Sequence, residues 1–292
     1  MDRGGAGEDI LMFRYGISAG LEELPRLQPV TLRGDIETIS AQAAEIGYAA
    51  LELHVREPKR YDPQRLRTVA EAKGLKICAA ANGMEYTVGG LSLVDPDPVG
   101  RRAALDRFLE HVDFAAELGA LCISGIMRGN ISKGGDREET LRLFHDATVR
   151  ICDYAAKKNV TVVLESIMRY INNYLNNVPE TMDWIIGTGI GNLALHLDTH
   201  SMAVEDRNMV ESFLYCRNRP LGYVHYSDNN RLYPGGGGID FKNLTRSLIT
   251  IGYQGYITQE SVALPDPFEA ARRGYEYMFS LERAVRIEML PV

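Results

Sequence analysis

The sequence lacks the features that mark several classes of protein. Its 292 residues contain no apolar run of about 18 residues, so no membrane span is expected. It has no long basic run and a formal net charge of −7, which makes a nucleic-acid backbone a poor partner on electrostatic grounds. The Gly-rich, acidic start lacks the apolar core of a secretory signal. We expect residues 1–12 to form a disordered extension.

Cysteine is also scarce. The four cysteines are widely spaced and form no Cys-x-x-Cys pair: Cys78, Cys122, Cys152 and Cys216. This spacing predicts buried, reduced thiols rather than a disulfide framework. With no secretory signal, it indicates a cytoplasmic protein.

A repeated local pattern organises the chain. At four places a helical stretch ends in Gly and runs into an apolar strand: Gly47, Gly74, Gly119 and Gly252. Glycine is the residue that most easily takes the left-handed conformation that ends a helix. The pattern therefore predicts strict alternation of helices and strands.

Applied to the whole chain, this pattern predicts eight strands. They cover residues 13–18, 49–55, 76–81, 120–126, 161–166, 193–198, 223–228 and 256–261. The predicted helices cover residues 31–46, 63–73, 98–118, 136–158, 178–187, 205–217, 241–250 and 267–287. Eight such units fit one (β/α)₈ barrel, a single domain over residues 13–292. A doubly wound open sheet is the alternative, but no Gly-rich phosphate turn follows the first strand.

Four metal-binding side chains fall in phase at the ends of the last four strands. Side chains alternate along a strand, and the less apolar face should point into the barrel. On that face, near each carboxyl end, lie Glu165, Asp198, His225 and Glu260. Three carboxylates facing one another would repel, and a divalent cation would resolve that repulsion. We expect one metal ion held by these four residues.

The chemistry of this set narrows the choice of metal. Three carboxylates and one imidazole suit Mn²⁺, Mg²⁺ or Co²⁺, with coordination positions left for substrate oxygens. We expect Mn²⁺, with Mg²⁺ and Co²⁺ as alternatives. Zn²⁺ is less favoured by an oxygen-rich set.

Other polar residues near the same strand ends are candidate substrate ligands. His54 lies in phase with Glu52 on the second strand, and His196 precedes Asp198 on the inner face. For both histidines, a packing role inside the barrel is an equal alternative. The further candidates are Arg128, Arg169, His200, Ser201, Asp228 and Arg231. The alternative for the arginines is a solvated loop, and for Asp228 a turn.

The motifs around these residues resemble a known superfamily. They are Leu164-Glu165, Leu197-Asp198-Thr199, and the run from His225 through Asp228, Arg231 and Pro234-Gly235-Gly236-Gly237 to Asp240-Phe241 and Glu260. They resemble the xylose-isomerase-like sugar isomerase/epimerase superfamily, nearest the ketose 3-epimerases (the D-tagatose/D-allulose 3-epimerase group) and keto-sugar-acid epimerases. The resemblance covers nearly the whole chain. It implies proton transfer through a metal-bound enediolate, with Glu165 and Glu260 as acid and base.

Two positions depart from the ketose 3-epimerase pattern. Ile171 stands where that group usually has a second Glu, and Ser201 where it has His, with His200 one step earlier. Both family residues contact the substrate near the reacting carbons. The departures predict a substrate other than a simple free ketohexose, namely a substituted, acidic or oxidised sugar.

Other functions stay open at this point. A metal-dependent lyase or dehydratase would use the same enolate and expel a leaving group. A DNA-repair endonuclease of the same superfamily would need more metals and more His ligands, and a non-catalytic barrel would not need four intact ligands. By analogy with related barrels we also expect a homo-oligomer, a dimer or tetramer, and a small carbohydrate as substrate.

Overall fold

Strands and helices alternate along the chain and build a closed parallel barrel. The computed structural model describes residues 12–290. The strands are β1 Arg14–Gly20, β2 Leu32–Arg33, β3 Ala50–His54, β4 Lys76–Ala81, β5 Leu121–Ser124, β6 Val162–Glu165, β7 Leu193–Asp198, β8 Leu221–Tyr226 and β9 Tyr256–Gln259. Eight of them pair in parallel in chain order, and β1 closes the barrel against β9. The predicted (β/α)₈ barrel is confirmed.

The helices surround the barrel. They are α1 Ile36–Ile46, α2 Pro63–Ala72, α3 Gly83–Thr87, α4 Pro98–Leu118, α5 Arg137–Ala156, α6 Val178–Thr188, α7 Thr199–Glu205, α8 Met209–Tyr215, α9 Phe241–Thr250 and α10 Pro267–Glu288. Side-chain caps fix many of the starts; Asp97, for example, accepts a hydrogen bond from the Val99 amide at the start of α4. Gly47 and Gly119 end α1 and α4 in the left-handed conformation.

Two predicted helices differ in the structure. The first begins at Ile36 instead of residue 31, because Asp35 caps it and Leu32–Arg33 pairs with β1 as the short strand β2. The helix predicted over residues 205–217 is two helices, α7 and α8. The extension predicted for residues 1–12 lies outside the described residues except for Met12.

Buried side chains form two layers, as the alternation along the strands predicts. Outward residues such as Val162, Leu164 and Leu195 belong to the large core between barrel and helices. Inward residues such as Val163 and Ala194 form a separate cluster inside the barrel. This cluster fills the interior of the barrel below the carboxyl ends of the strands, and the polar side chains lie at those ends.

The sequence analysis also made predictions about membrane spans and about the cysteines. Within residues 12–290, no helix is long and apolar enough to cross a membrane. All four cysteines are buried.

Candidate active site

Four consecutive strand ends converge on one cavity at the carboxyl-terminal face of the barrel. Glu165 ends β6, Asp198 ends β7, His225 lies one residue before the end of β8, and Glu260 directly follows β9. All four line a cavity of about 400 Å³. Asp198, His225 and Glu260 are buried, and Glu165 is partly buried. The structure therefore brings together the four side chains predicted to hold a metal.

The close approach of acidic groups shifts their protonation. Burial and the charges of Asp198 and Glu260 raise the pKa of Glu165 to about 8. Burial alone would raise the pKa of Glu260, but Arg231 and His225 lower it below its ordinary value. The two glutamates thus have contrasting environments within one cavity.

Arg231 supplies positive charge between two of the carboxylates. Its guanidinium donates to Asp198 Oδ2 at 2.5 Å and also to Glu260 Oε2. The backbone of Arg231 has a φ of +62°, a conformation that non-glycine residues seldom adopt. Its amide donates to the Asp228 carbonyl, and its carbonyl accepts from the Val262 amide. These bonds hold the strained residue so that its side chain reaches the acids.

The donor set fits a divalent cation. His225 Nε2 is engaged with Glu52 at 2.6 Å, whereas the buried Nδ1 has no hydrogen-bond partner and lies 3.4 Å from Glu260 Oε2. A buried imidazole nitrogen without a partner, among carboxylates, is the arrangement that a metal ion completes. Among residues 12–290, two groups of side chains could hold an ion, Glu165/His196/His225 and Glu52/His225/Glu260, and in each the donor atoms lie within 4.8 Å of one another.

Glu52 is a functional candidate to which the sequence analysis gave no role. It is fully buried on β3 and contacts two imidazoles, His54 Nε2 and His225 Nε2, each at 2.6 Å. A carboxylate on the far nitrogen of a ligating histidine fixes the ring and its tautomer. The signal in the sequence was a Glu in phase with His54 on an otherwise apolar strand.

Four of the seven expected substrate ligands line the cavity. They are His54, His200, Ser201 and Arg231. His54 Nε2 lies 3.7 Å from Glu260 Oε1, and Ser201 Oγ donates to Asp198 Oδ2 at 3.5 Å. The His200 amide donates to Asp198 Oδ1 at 2.9 Å. Asp198 is therefore held from several sides.

The structure gives the other three expected substrate ligands different contacts. The fully buried guanidinium of Arg128 donates to the backbone carbonyls of Glu165 and Leu175. Arg169 forms a salt bridge with Glu205. In this structure both guanidinium groups bind other parts of the protein, and neither residue lines the cavity.

Asp228, the third of them, organises the loop after β8. Its carboxylate accepts hydrogen bonds from the backbone amides of Asn229, Gly235 and Ile239. A Cβ at Gly237 would lie 2.5 Å from Asp228 Oδ1, so glycine is needed for the loop to close over this carboxylate. Asp228 thus shapes the loop that carries Arg231.

One wall of the cavity is apolar. It is lined by Met84, Ile126, Ile167, Met168 and Ile171. Ile171 is 38% exposed, so these apolar residues extend from the carboxylate cluster toward the cavity mouth. Ile171, at the position where ketose 3-epimerases usually have a second Glu, is therefore part of an apolar surface.

Fold and site together define a barrel enzyme with a carboxylate- and histidine-rich centre at the strand ends. Residues 40–281 match the family model described as xylose isomerase-like TIM barrel. The chain belongs to this family.

Sequence relatives are named sugar epimerases. An L-ribulose 3-epimerase of Methylomonas sp. (strain DH-1) is 31% identical over 76% of this chain and 76% of its own length. A 3-dehydro-D-guloside 4-epimerase of Escherichia coli (strain K12) is 30% identical over 72% of this chain and 81% of its own length. A solved L-ribulose 3-epimerase structure superimposes with a TM-score of 0.83 at 20% identity, covering 95% of this chain and 97% of that one. The last comparison supports the fold.

Proposed function

We propose that this protein is a divalent-metal-dependent epimerase of a keto sugar. The observation that carries the proposal is the placement of two glutamates around one cavity. Glu165 on β6 and Glu260 after β9 flank the Asp198–His225 pair of the intervening strands. Two carboxyl groups on either side of a bound sugar can remove a proton from one face and return one to the other. The named relatives, which are 3- and 4-epimerases, support the same reaction class.

The cavity side chains have different proposed roles in proton transfer. Glu165, Asp198, His225 and Glu260 would hold the ion, which when bound acidifies the C–H beside the carbonyl by stabilising negative charge on the substrate oxygens. One glutamate, as the carboxylate, takes the proton from one face, and the other, as the carboxylic acid, donates its own proton to the opposite face, which inverts the carbon. Arg231 contacts Glu260 and Asp198 and so orients both carboxylates. His54, His200 and Ser201 line the cavity, and we propose that they contact sugar hydroxyls.

For the metal we propose Mn²⁺, with Mg²⁺ and Co²⁺ as alternatives. Three carboxylates and an imidazole are compatible with all three ions. The catalytic domain is proposed to span residues 13–292. Cytoplasmic location and a dimeric or tetrameric assembly stay predictions from the sequence.

We propose that the substrate is a substituted keto sugar, such as a keto glycoside. The apolar wall that includes Ile171 and Met168 can contact an apolar substituent, whereas a free ketose would place hydroxyl groups against it. One relative is named for action on a 3-dehydro-guloside, whereas others are named for free ketoses, so the choice of a keto glycoside depends on the apolar residues of the cavity.

A substrate panel followed by NMR tests the proposal. The metal-loaded protein would be given free fructose, psicose, tagatose and ribulose, and the 3-keto forms of methyl and aryl glycosides. We expect kcat/KM for an epimerised keto glycoside to exceed that for any free ketose by about 10-fold or more, a difference of about 1.4 kcal/mol. Equal values would contradict the substrate class, and an eliminated product would identify a lyase.

Ile171→Glu gives this experiment a matched variant. It restores the family residue at a partly exposed position, where a charge is tolerated. We expect the ratio of activity on free ketose to activity on keto glycoside to rise. An unchanged ratio would show that Ile171 does not determine the preference for keto glycosides.

A further inference from the structure

His196 is a buried imidazole directly beneath the proposed metal ligands. It lies on β7, two residues before Asp198 and on the same inward face. Its register partner across the sheet is Glu165, and its ring meets that of His225 edge-on at 4.1 Å between centroids. His196 therefore lies between two side chains that the proposed function assigns to the metal.

No contact within residues 12–290 satisfies the His196 nitrogens. The residue is fully buried, yet both Nδ1 and Nε2 lack a hydrogen-bond partner. Leaving a buried polar atom unpaired is destabilising, so a histidine that only fills space is unfavourable at this position. An apolar residue would pack inside the barrel without that cost, as Val163 and Ala194 do.

The geometry directs His196 toward a metal ion. A nitrogen of His196, a nitrogen of His225 and a carboxylate oxygen of Glu165 all lie within 4.8 Å of one another. This separation lets one cation contact all three after small side-chain movements, since metal–nitrogen and metal–oxygen bonds are about 2.0–2.2 Å long. In sequence His196 is two residues from Asp198, and in space it lies close to Glu165 and His225.

We propose that His196 is a fifth protein ligand of the divalent ion at this site. The inference rests on the proposed metal-dependent function and adds a second imidazole to it. Two imidazoles shift preference away from Mg²⁺ and toward transition metals such as Co²⁺ and Mn²⁺. A fifth ligand also lets Glu165 or Glu260 leave the ion to transfer a proton while four protein ligands remain.

X-ray absorption on the metal-loaded wild-type protein tests this without any variant. The scattering from imidazole rings around bound Co²⁺ counts the histidine ligands. We expect two imidazoles per ion. One imidazole would overturn the role of His196 and leave the proposed function standing, whereas no bound ion would overturn both.

Metal selectivity gives a second, independent measurement. His196→Phe keeps a flat ring of similar shape and removes both nitrogens, and His145→Phe makes the same change at a half-buried histidine on α5, away from the cavity. Calorimetric titration should show Co²⁺ affinity lower by about 10-fold or more in His196→Phe, with Mg²⁺ affinity changed less than about threefold. We expect His145→Phe to match wild type for both ions.

Equal losses for Co²⁺ and Mg²⁺ in His196→Phe would overturn the proposal, because a distorted barrel weakens every ion alike. An unchanged Co²⁺ affinity and an unchanged visible spectrum of the Co²⁺ protein would overturn it as well. If His196→Phe fails to fold, the imidazole count in the wild-type protein decides.

Discussion

At the residue scale, Glu52 joins two histidines of the site through one carboxylate. Its two oxygens contact His54 and His225 at 2.6 Å each. Burial would raise the pKa of Glu52, but His225 and His54 hold it well below its usual value. An ionised, fully buried carboxylate can accept from both rings at once, and this fixes His225 with Nδ1 directed into the cluster.

We therefore expect Glu52→Gln to weaken metal binding. The two imidazoles contact different oxygens of Glu52, and in Gln one of these becomes an NH2 donor, so one imidazole loses its acceptor and the orientation of His225 is no longer fixed. Calorimetry should show divalent-metal affinity lower by about 10- to 100-fold, with kcat/KM recovering at excess metal.

Glu282→Gln is the matched control. Glu282 is another fully buried glutamate, and it accepts hydrogen bonds from the Tyr15 hydroxyl and the Phe13 amide away from the cavity. We expect it to lower the melting temperature and leave metal affinity unchanged. If Glu52→Gln binds metal as tightly as wild type does, the positioning role of Glu52 is wrong.

The sequence predicts the role of an individual residue only where the local pattern determines which way its side chain points. Alternation along single strands was enough to select Glu165, Asp198, His225 and Glu260. The pairing of Glu52 with His225 joins residues 173 positions apart and depends on closure of the barrel. Arg128 follows a strand as a substrate ligand would, but its guanidinium turns inward to backbone carbonyls, a choice that local sequence does not determine.

At the scale of elements, the segment from Asp228 to Ile239 connects β8 to the start of α9 and carries Arg231. Three backbone amides donate to the Asp228 carboxylate, two to Oδ1 and one to Oδ2. Hydrogen bonds to a charged acceptor are stronger than neutral ones, so this carboxylate determines the loop conformation.

We expect Asp228→Ala to disorder this loop and displace Arg231. Loss of the three hydrogen bonds should cost about 2–4 kcal/mol of stability. Activity should fall as well, with kcat/KM lower by about 10-fold or more because Arg231 no longer orients Asp198 and Glu260. Asp228→Asn keeps one acceptor oxygen and should fall between Ala and wild type. Chemical denaturation and steady-state kinetics measure the two effects.

Asp240→Asn controls for a nearby acid without a role in the loop. Asp240 caps α9 by accepting from the Asn243 amide, and Asn is also a good cap. We expect its kinetics to match wild type. Equal activity of Asp228→Ala and wild type would show that the loop conformation does not depend on this carboxylate.

Helix boundaries show which local signals were missed. The sequence predicted one helix over residues 205–217, whereas α7 begins at Thr199, directly after β7. Asp198 is both a proposed metal ligand and the residue whose side chain accepts from the His200 amide at the start of α7. Asn208 then caps α8 as a separate helix. Caps divide helices where apolar periodicity alone suggests one continuous segment.

At the scale of the whole molecule, the regular alternation of strands and helices along the sequence predicts the fold. Eight strand–helix units predict parallel strands with helical crossovers, and the contact of β1 with β9 converts the sheet into a barrel. Closure leaves only β1 and β9 between β3 and β8, and Glu52 contacts His225 across the barrel interior. The site therefore depends on the complete barrel, and the four proposed metal ligands come from four consecutive strands, β6 to β9.

The central claim is proton transfer at a carbon beside a carbonyl by Glu165 and Glu260. The direct measurement is NMR of an accepted keto sugar in deuterated water with metal-loaded protein. We predict deuterium at the inverted carbon, a rate lower by about 10²- to 10⁴-fold in both Glu165→Gln and Glu260→Gln, and loss of exchange after chelation. Glu276→Gln, at an exposed surface pair with Arg272, should match wild type. Wild-type rates in both glutamine variants, or in the chelated protein, would contradict the account.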